Sequence, residues 1–222
     1  AFAALDKAAP NSRYKQIAVD TFNNIIARKD NSKGSYNKNF PGTRNLKNFS
    51  LPMILCNLAL ELEHIIGSDR VNSFIPTVIH EVMEVFYQPS SGLILENVYE
   101  DGSFCNSFEG RLINPGHAIE AMWFIMDLAK RTNDTALINK ACSIVLQTLE
   151  YGWDKEHGGI FYFLDILNNP PQQLEWDQKL WWVHVEALVA LAKGYALTQN
   201  DECLQWFNKV HNYTWQHFKD TE

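Results

Sequence analysis

Apolar positions along the chain recur at helical spacing, with polar residues between them. Leu51, Ile54, Leu55, Leu58 and Leu62 make one such stripe, and Ile75, Val78, Ile79, Val82, Val85 and Phe86 make the next. Similar stripes predict helices over about 12–28, 115–131, 135–151, 176–198 and 201–218. Successive helices then pair as hairpins. Between pairs comes a recurring glycine turn: Asp30-Asn-Ser-Lys-Gly34, Gln88-Pro-Ser-Ser-Gly92 and Asp154-Lys-Glu-His-Gly-Gly159, each followed by hydrophobic or aromatic residues. Such self-similarity indicates a repeat, here an α-hairpin of roughly 60 residues. Hairpins with an apolar face must bury it against their neighbours, and a closed ring of them leaves a central cavity. The predicted architecture is therefore all-α, a single toroid domain over residues 1–222, with long loops at 96–114 and 164–175 on its rim. Residues 1–7 read as the last turns of a helix already under way, and the segment from Phe218 to Glu222 as the approach to another glycine turn. Truncation at both ends is the expectation.

Composition narrows the function. With 46% hydrophobic and 13% aromatic residues, the 222-residue chain has enough apolar material for a substantial core. A net charge of -7 without a cationic cluster argues against nucleic acid as a partner. No run approaches the roughly 20 apolar residues of a membrane span, and the N-terminus lacks the basic-then-apolar pattern of a secretory signal. The four cysteines, Cys56, Cys105, Cys142 and Cys203, stand singly and far apart, unlike a metal knuckle or a small disulfide framework. Reduced thiols and a cytoplasmic location follow as expectations. His80-Glu81 lacks the second histidine of a zinc motif, so no metal is expected.

Two stretches carry candidate chemistry. In Gly110-Arg-Leu-Ile-Asn-Pro-Gly-His-Ala-Ile-Glu-Ala-Met-Trp123, Asn114 suits a helix cap and Pro115 the first helical position, which puts His117 in the first turn. Glu120 and Trp123 continue its face. A histidine near a helix start is often only a polar neighbour of the cap, and Trp123 alone suits a core. Yet imidazole also suits proton abstraction near neutral pH, and the positive helix end favours its neutral form. In Leu174-Glu-Trp-Asp-Gln-Lys-Leu-Trp-Trp-Val-His-Val-Glu-Ala187, Trp182 and Glu186 fall four apart, with Lys179 three before Trp182 on the expected helix. Tryptophan faces suit the C–H surface of a sugar ring, and charged groups bind its hydroxyls. Packing serves equally for Trp181 alone, and a solvated pair for Lys179 with Glu186.

Asn114-Pro-Gly-His-Ala-Ile-Glu, Gly158-Gly-Ile-Phe-Tyr-Phe and the Leu174–Ala187 stretch resemble the N-acylglucosamine 2-epimerase (renin-binding protein) family. Leu51-Pro-Met-Ile-Leu-Cys-Asn57-Leu and Leu95-Glu-Asn-Val98 are similar too, so the resemblance covers nearly the whole chain. It implies an (α/α)6 barrel, commonly a homodimer, that interconverts N-acetylglucosamine and N-acetylmannosamine without a bound cofactor, with nucleotide activation in some relatives. It places a catalytic base at His117 and a catalytic or substrate-orienting carboxylate at Glu186. Sugar contacts fall at Glu120, Trp123 and Trp182, with Asn57, Glu96 and Lys179 as weaker carry-overs. Cellobiose 2-epimerases and aldose-ketose isomerases usually carry histidine where this chain has Asn114. The family also uses an early arginine and a second histidine whose motifs do not occur here; Arg44 and His211 lie in the wrong ones.

Two other readings stand beside this one. Helical toroids also bind glycans as glycoside hydrolases, and Glu96, Glu120 and Glu186 are available acids, although that chemistry needs two carboxylates at a set separation. The renin-binding name suggests a non-catalytic interaction protein, which no residue pattern here supports.

Overall fold

Two short turns of sequence set the packing: Asn114-Pro115 starts one long helix and Asn133-Asp134 separates it from the next. In the computed structural model, which describes residues 1–29 and 45–220, Asn114 caps α6 (Pro115–Thr132) by accepting from the His117 backbone N–H at 3.1 Å. Asn133 ends α6 in the left-handed region at φ 58, and the Asp134 side chain then caps α7 (Thr135–Gly152). The earlier helices are α1 (Phe2–Ala8), α2 (Ser12–Lys29), α3 (Ser50–Glu61), the single turn α4 (Glu63–Ile66) and α5 (Ser68–His80). A π-helical turn, Glu81–Val85, prolongs α5, so the expected stripe through Phe86 spans two kinds of helix. The chain closes with α8 (Trp181–Thr198) and α9 (Asp201–His217).

Packing follows the expected pairs, with α3 against α5, α6 against α7 and α8 against α9. The first helix of each pair also packs on its counterpart in the next, α3 on α6 and α6 on α8. The result is a two-layer arc of hairpins. Its core runs through Phe49, Leu55, Phe86, Ile113, Ile119, Met122, Phe124 and Ile125, all buried. One face of α6 presses on α8 so closely that a Cβ at Gly116 would lie 2.6 Å from Trp182 Cη2 and 2.9 Å from Val183 Cγ2. Only glycine fits there.

Short antiparallel strand pairs occupy the connections: β1 (Leu46–Asn48) with β4 (Asn97–Tyr99), β2 (Tyr87–Gln88) with β3 (Leu93–Ile94), and β5 (Leu112–Ile113) with β6 (Leu164–Asp165). The second glycine turn is the β2–β3 hairpin, with Gly92 at φ 74. The third, at 154–159, closes on Asp154 N–H to Gly159 O at 2.8 Å, with Gly158 and Gly159 both at positive φ. The first, at 30–34, and Arg44 lie outside the described residues. The two expected rim loops are tied to each other through β5 and β6 and by Arg111 Nε to Asp165 Oδ2 at 2.7 Å.

One helix boundary differs from expectation. The stripe over 176–198 becomes helical only at Trp181, because the residues before it are held elsewhere. The Trp176 carbonyl accepts from both Tyr162 N–H and Phe163 N–H, and Lys179 pairs with Asp154. No described helix is long and apolar enough to cross a membrane.

Candidate active site

Helix α6 is buried along most of its surface, and its partly exposed positions include His117, Glu120, Trp123 and Asp127, three or four residues apart on one stripe. On α8 a matching stripe runs through Trp182, Glu186 and Lys193. The close α6–α8 approach brings the stripes together. The rings of His117 and Trp182 lie 5.7 Å apart, and Trp123 Nε1–H donates to Glu186 Oε2 at 2.7 Å. Lys193 Nζ lies 5.1 Å from the centre of the Trp123 ring and pairs with Asp127 at 2.7 Å.

His117 is oriented from behind. Its Nδ1 lies 3.0 and 3.1 Å from the two carboxylate oxygens of Glu96, a residue only 6% exposed. An ionised carboxylate only accepts, so Nδ1 carries the proton and donates it to Glu96, and in the neutral ring the lone pair lies on Nε2. Glu96 is itself fixed through its backbone, N–H to Leu112 O at 3.0 Å and carbonyl from Phe49 N–H at 2.9 Å. Burial pulls the His117 pKa down, but the Glu96 hydrogen bond and charge, with Glu120 adding to them, raise it above the ordinary histidine value. The direction is opposite to the expectation that the helix terminus favours the neutral ring, because the two neighbouring carboxylates favour the charged form.

Burial and the negative charge of Glu186 push the Glu120 carboxyl upward, partly offset by His117.

The remaining sequence candidates fall outside this group. Asn57, on α3, lines an apolar cleft of about 270 Å³ with Phe2, Phe22 and Leu58. Lys179 precedes α8, where its Nζ pairs with Asp154 Oδ2 at 2.9 Å and stands 3.8 Å from the centre of the Phe161 ring. Asp154 is held down to about 2; burial opposes this, but the backbone N–H groups of His157 and Glu156 and the Lys179 ammonium outweigh it. Glu96 belongs to the group, with its carboxylate on His117. Sequence reasoning missed Tyr162, which meets Trp182 edge-on at 6.3 Å, and the Asp127–Lys193 pair, although the polar spacing on α6 continues to Asp127. No group of three or more His, Cys, Asp or Glu among the described residues is arranged to hold a metal ion.

The family model for N-acylglucosamine 2-epimerase (GlcNAc 2-epimerase) matches residues 1–222. The chain belongs to the N-acylglucosamine 2-epimerase family. It is 35% identical over 221 residues to N-acylglucosamine 2-epimerase of Rattus norvegicus, covering 97% of this chain and 52% of that protein. With the Homo sapiens N-acylglucosamine 2-epimerase the identity is 32% over 224 residues, covering 97% of this chain and 51% of the relative. The chain therefore spans about half the length of these N-acylglucosamine 2-epimerases. Among solved structures, the cellobiose 2-epimerase of Bacillus thermoamylovorans B4167 superposes with a TM-score of 0.79 at 16% identity, covering 100% of this chain and 58% of that one. An unsaturated glucuronyl hydrolase from Bacillus sp. GL1 superposes at 0.70 with 10% identity, over 99% of this chain and 55% of that one. These likenesses establish the fold of this family member as that of the (α/α)6 barrel enzymes.

Proposed function

We propose that the chain forms part of a sugar 2-epimerase that interconverts N-acetylglucosamine and N-acetylmannosamine, with His117 as a base at C2. The observation that supports this reading best is the His117–Glu96 pair, set on one stripe with Glu120, Trp182 and the Trp123-bound Glu186. In the open-chain sugar, the C1 carbonyl acidifies the C2–H. In the neutral ring, the lone pair of His117 Nε2 takes that proton, and the C–H electrons move into an enolate that carries its oxygen on C1 and the acetamido nitrogen on C2. The Glu96 carboxylate stabilises the imidazolium so formed through Nδ1–H. Glu186, held by the Trp123 indole, and Glu120 bind hydroxyls, and the Trp182 face covers the ring. Inversion needs a proton delivered to the opposite face by a second acid. The amino-sugar substrate is suggested by the names of the relatives. A cytoplasmic location, a homodimer, independence of a bound cofactor and nucleotide activation of a longer enzyme complete the reading.

One observation favours a second reading. Glu120, whose carboxyl is raised beside the charge of Glu186, has the profile of a glycosidase acid next to a carboxylate. Incubation in deuterated water with N-acetylglucosamine, and separately with an aryl glycoside, distinguishes the two. Deuterium at C2 supports the epimerase; release of the aryl group without C2 exchange supports the hydrolase.

A further inference from the structure

We infer that Cys142 and Cys203 form a reversible oxidation site, a dithiol that closes to a disulfide under a hydroperoxide and reopens under a reducing dithiol. Cys142 lies midway along α7 and Cys203 in the first turn of α9, and their sulfurs are 3.2 Å apart. Gly194 of α8 makes the meeting place. A Cβ there would lie 3.1 Å from Cys203 Sγ and 3.2 Å from Cys142 Sγ, so a side chain on α8 would wedge the sulfurs apart. A disulfide bond is about 2.05 Å long, so closure asks for a sulfur movement of roughly 1 Å, within the reach of small side-chain rotations. No comparable neighbour exists for the other thiols: neither Cys56 nor Cys105 has a sulfur partner among the described residues.

The pair is also chemically asymmetric. The hydrogen bond from Cys203, aided by the Thr198 hydroxyl at 3.9 Å, lowers the Cys142 pKa to about 7 against the effect of burial. Cys203 keeps the shared proton and is pushed up. Cys142 is therefore the attacking thiolate. Its sulfur displaces hydroxide from the peroxide O–O bond and becomes a sulfenic acid. Cys203 then attacks that sulfur, forming the S–S bond and releasing water with its own proton. Two thiols are oxidised by one peroxide, which is reduced to water and, for an organic peroxide, an alcohol.

Both cysteines are nearly closed to solvent, at 3% and 1% exposure. The pair lies under the α8–α9 connection, where Cys142 Sγ is near Thr198 and Gln199 is exposed in the left-handed region at φ 54. Oxidation and reduction of the pair therefore both need local opening of the structure over it. Closure ties α7 to α9 behind α8, across a loop of 61 residues.

The test is to treat the purified protein with hydrogen peroxide at pH 7 and map thiols by peptide mass spectrometry. The expected product is a 142–203 cross-linked peptide, two hydrogens lighter than the free pair and restored by dithiothreitol. The oxidised protein should melt higher, by on the order of 10 °C, because the link constrains the unfolded chain. Cys142→Ser and Cys203→Ser should each abolish the cross-link. The inference is overturned by a cross-link through Cys56 or Cys105, by over-oxidised but unlinked Cys142, or by no reaction before the protein unfolds. Mapping the unmutated protein gives the answer even if a serine variant folds poorly.

Discussion

His117 and His184 are two largely buried imidazoles whose partners leave them with opposite proton affinities. For His117 the partner is an anion, and the pKa rises. Glu96→Gln keeps a hydrogen-bond acceptor and removes the charge, so the His117 pKa should fall, with burial then opposed mainly by the charge of Glu120. NMR titration of the His117 ring measures this directly, and an unchanged value would separate the two residues electrostatically. His184 is fully buried: Nδ1–H donates to Leu180 O at 2.7 Å, and Nε2 accepts from Ile160 N–H at 3.0 Å. Only the neutral ring satisfies both bonds. Burial, reinforced by the charges of Lys179 and His217 and opposed by the Leu180 carbonyl, lowers its pKa from 6.5 to about 4. A depressed histidine stabilises the fold fully above its unfolded value of 6.5 and progressively less as pH falls from there toward 4, a total of about 3 kcal/mol. Urea unfolding at pH 7 and pH 4.5 should show this loss, and His184→Gln should flatten the difference. Equal pH dependence in both proteins would contradict it.

Helices α6 and α8 carry the site as elements, and their approach rests on Gly116. Gly116→Ala drives a methyl into the Trp182 ring, so either that ring moves or the helices part. The expected cost is about 1–3 kcal/mol, larger than the gain of up to about 1 kcal/mol from better helix propensity. Denaturant unfolding gives the sign, and net stabilisation would mean that the helices are not so closely packed. Much of this level was legible in the sequence. Asn114-Pro115 announced the start of α6, and helical spacing joined His117 to Glu120 and Trp182 to Glu186. The start of α8 was not legible, because the stripe before Trp181 is apolar enough for a helix while long-range bonds from Tyr162, Phe163 and Asp154 hold it open. The Glu96–His117 bond was equally hidden: it joins a strand connection to a helix, and no local period encodes it.

At the scale of the whole molecule, glycine turns and paired stripes were enough to read a stack of α-hairpins, since each pair must bury its apolar face on the next. Which polar residues converge depends instead on the curvature of the stack. Glu96 converges on His117, whereas Asn57 lines a separate cleft and Lys179 secures a glycine turn. The central claim concerns His117, and the exchange of the C2 hydrogen of N-acetylglucosamine in deuterated water, followed by NMR, tests it most directly. The protein should introduce deuterium at C2, and His117→Asn should slow that exchange by about 10²–10⁴-fold while leaving the unfolding transition within about 1 kcal/mol of the original. Exchange at an undiminished rate in a folded His117→Asn protein would contradict the assignment of His117 as the base.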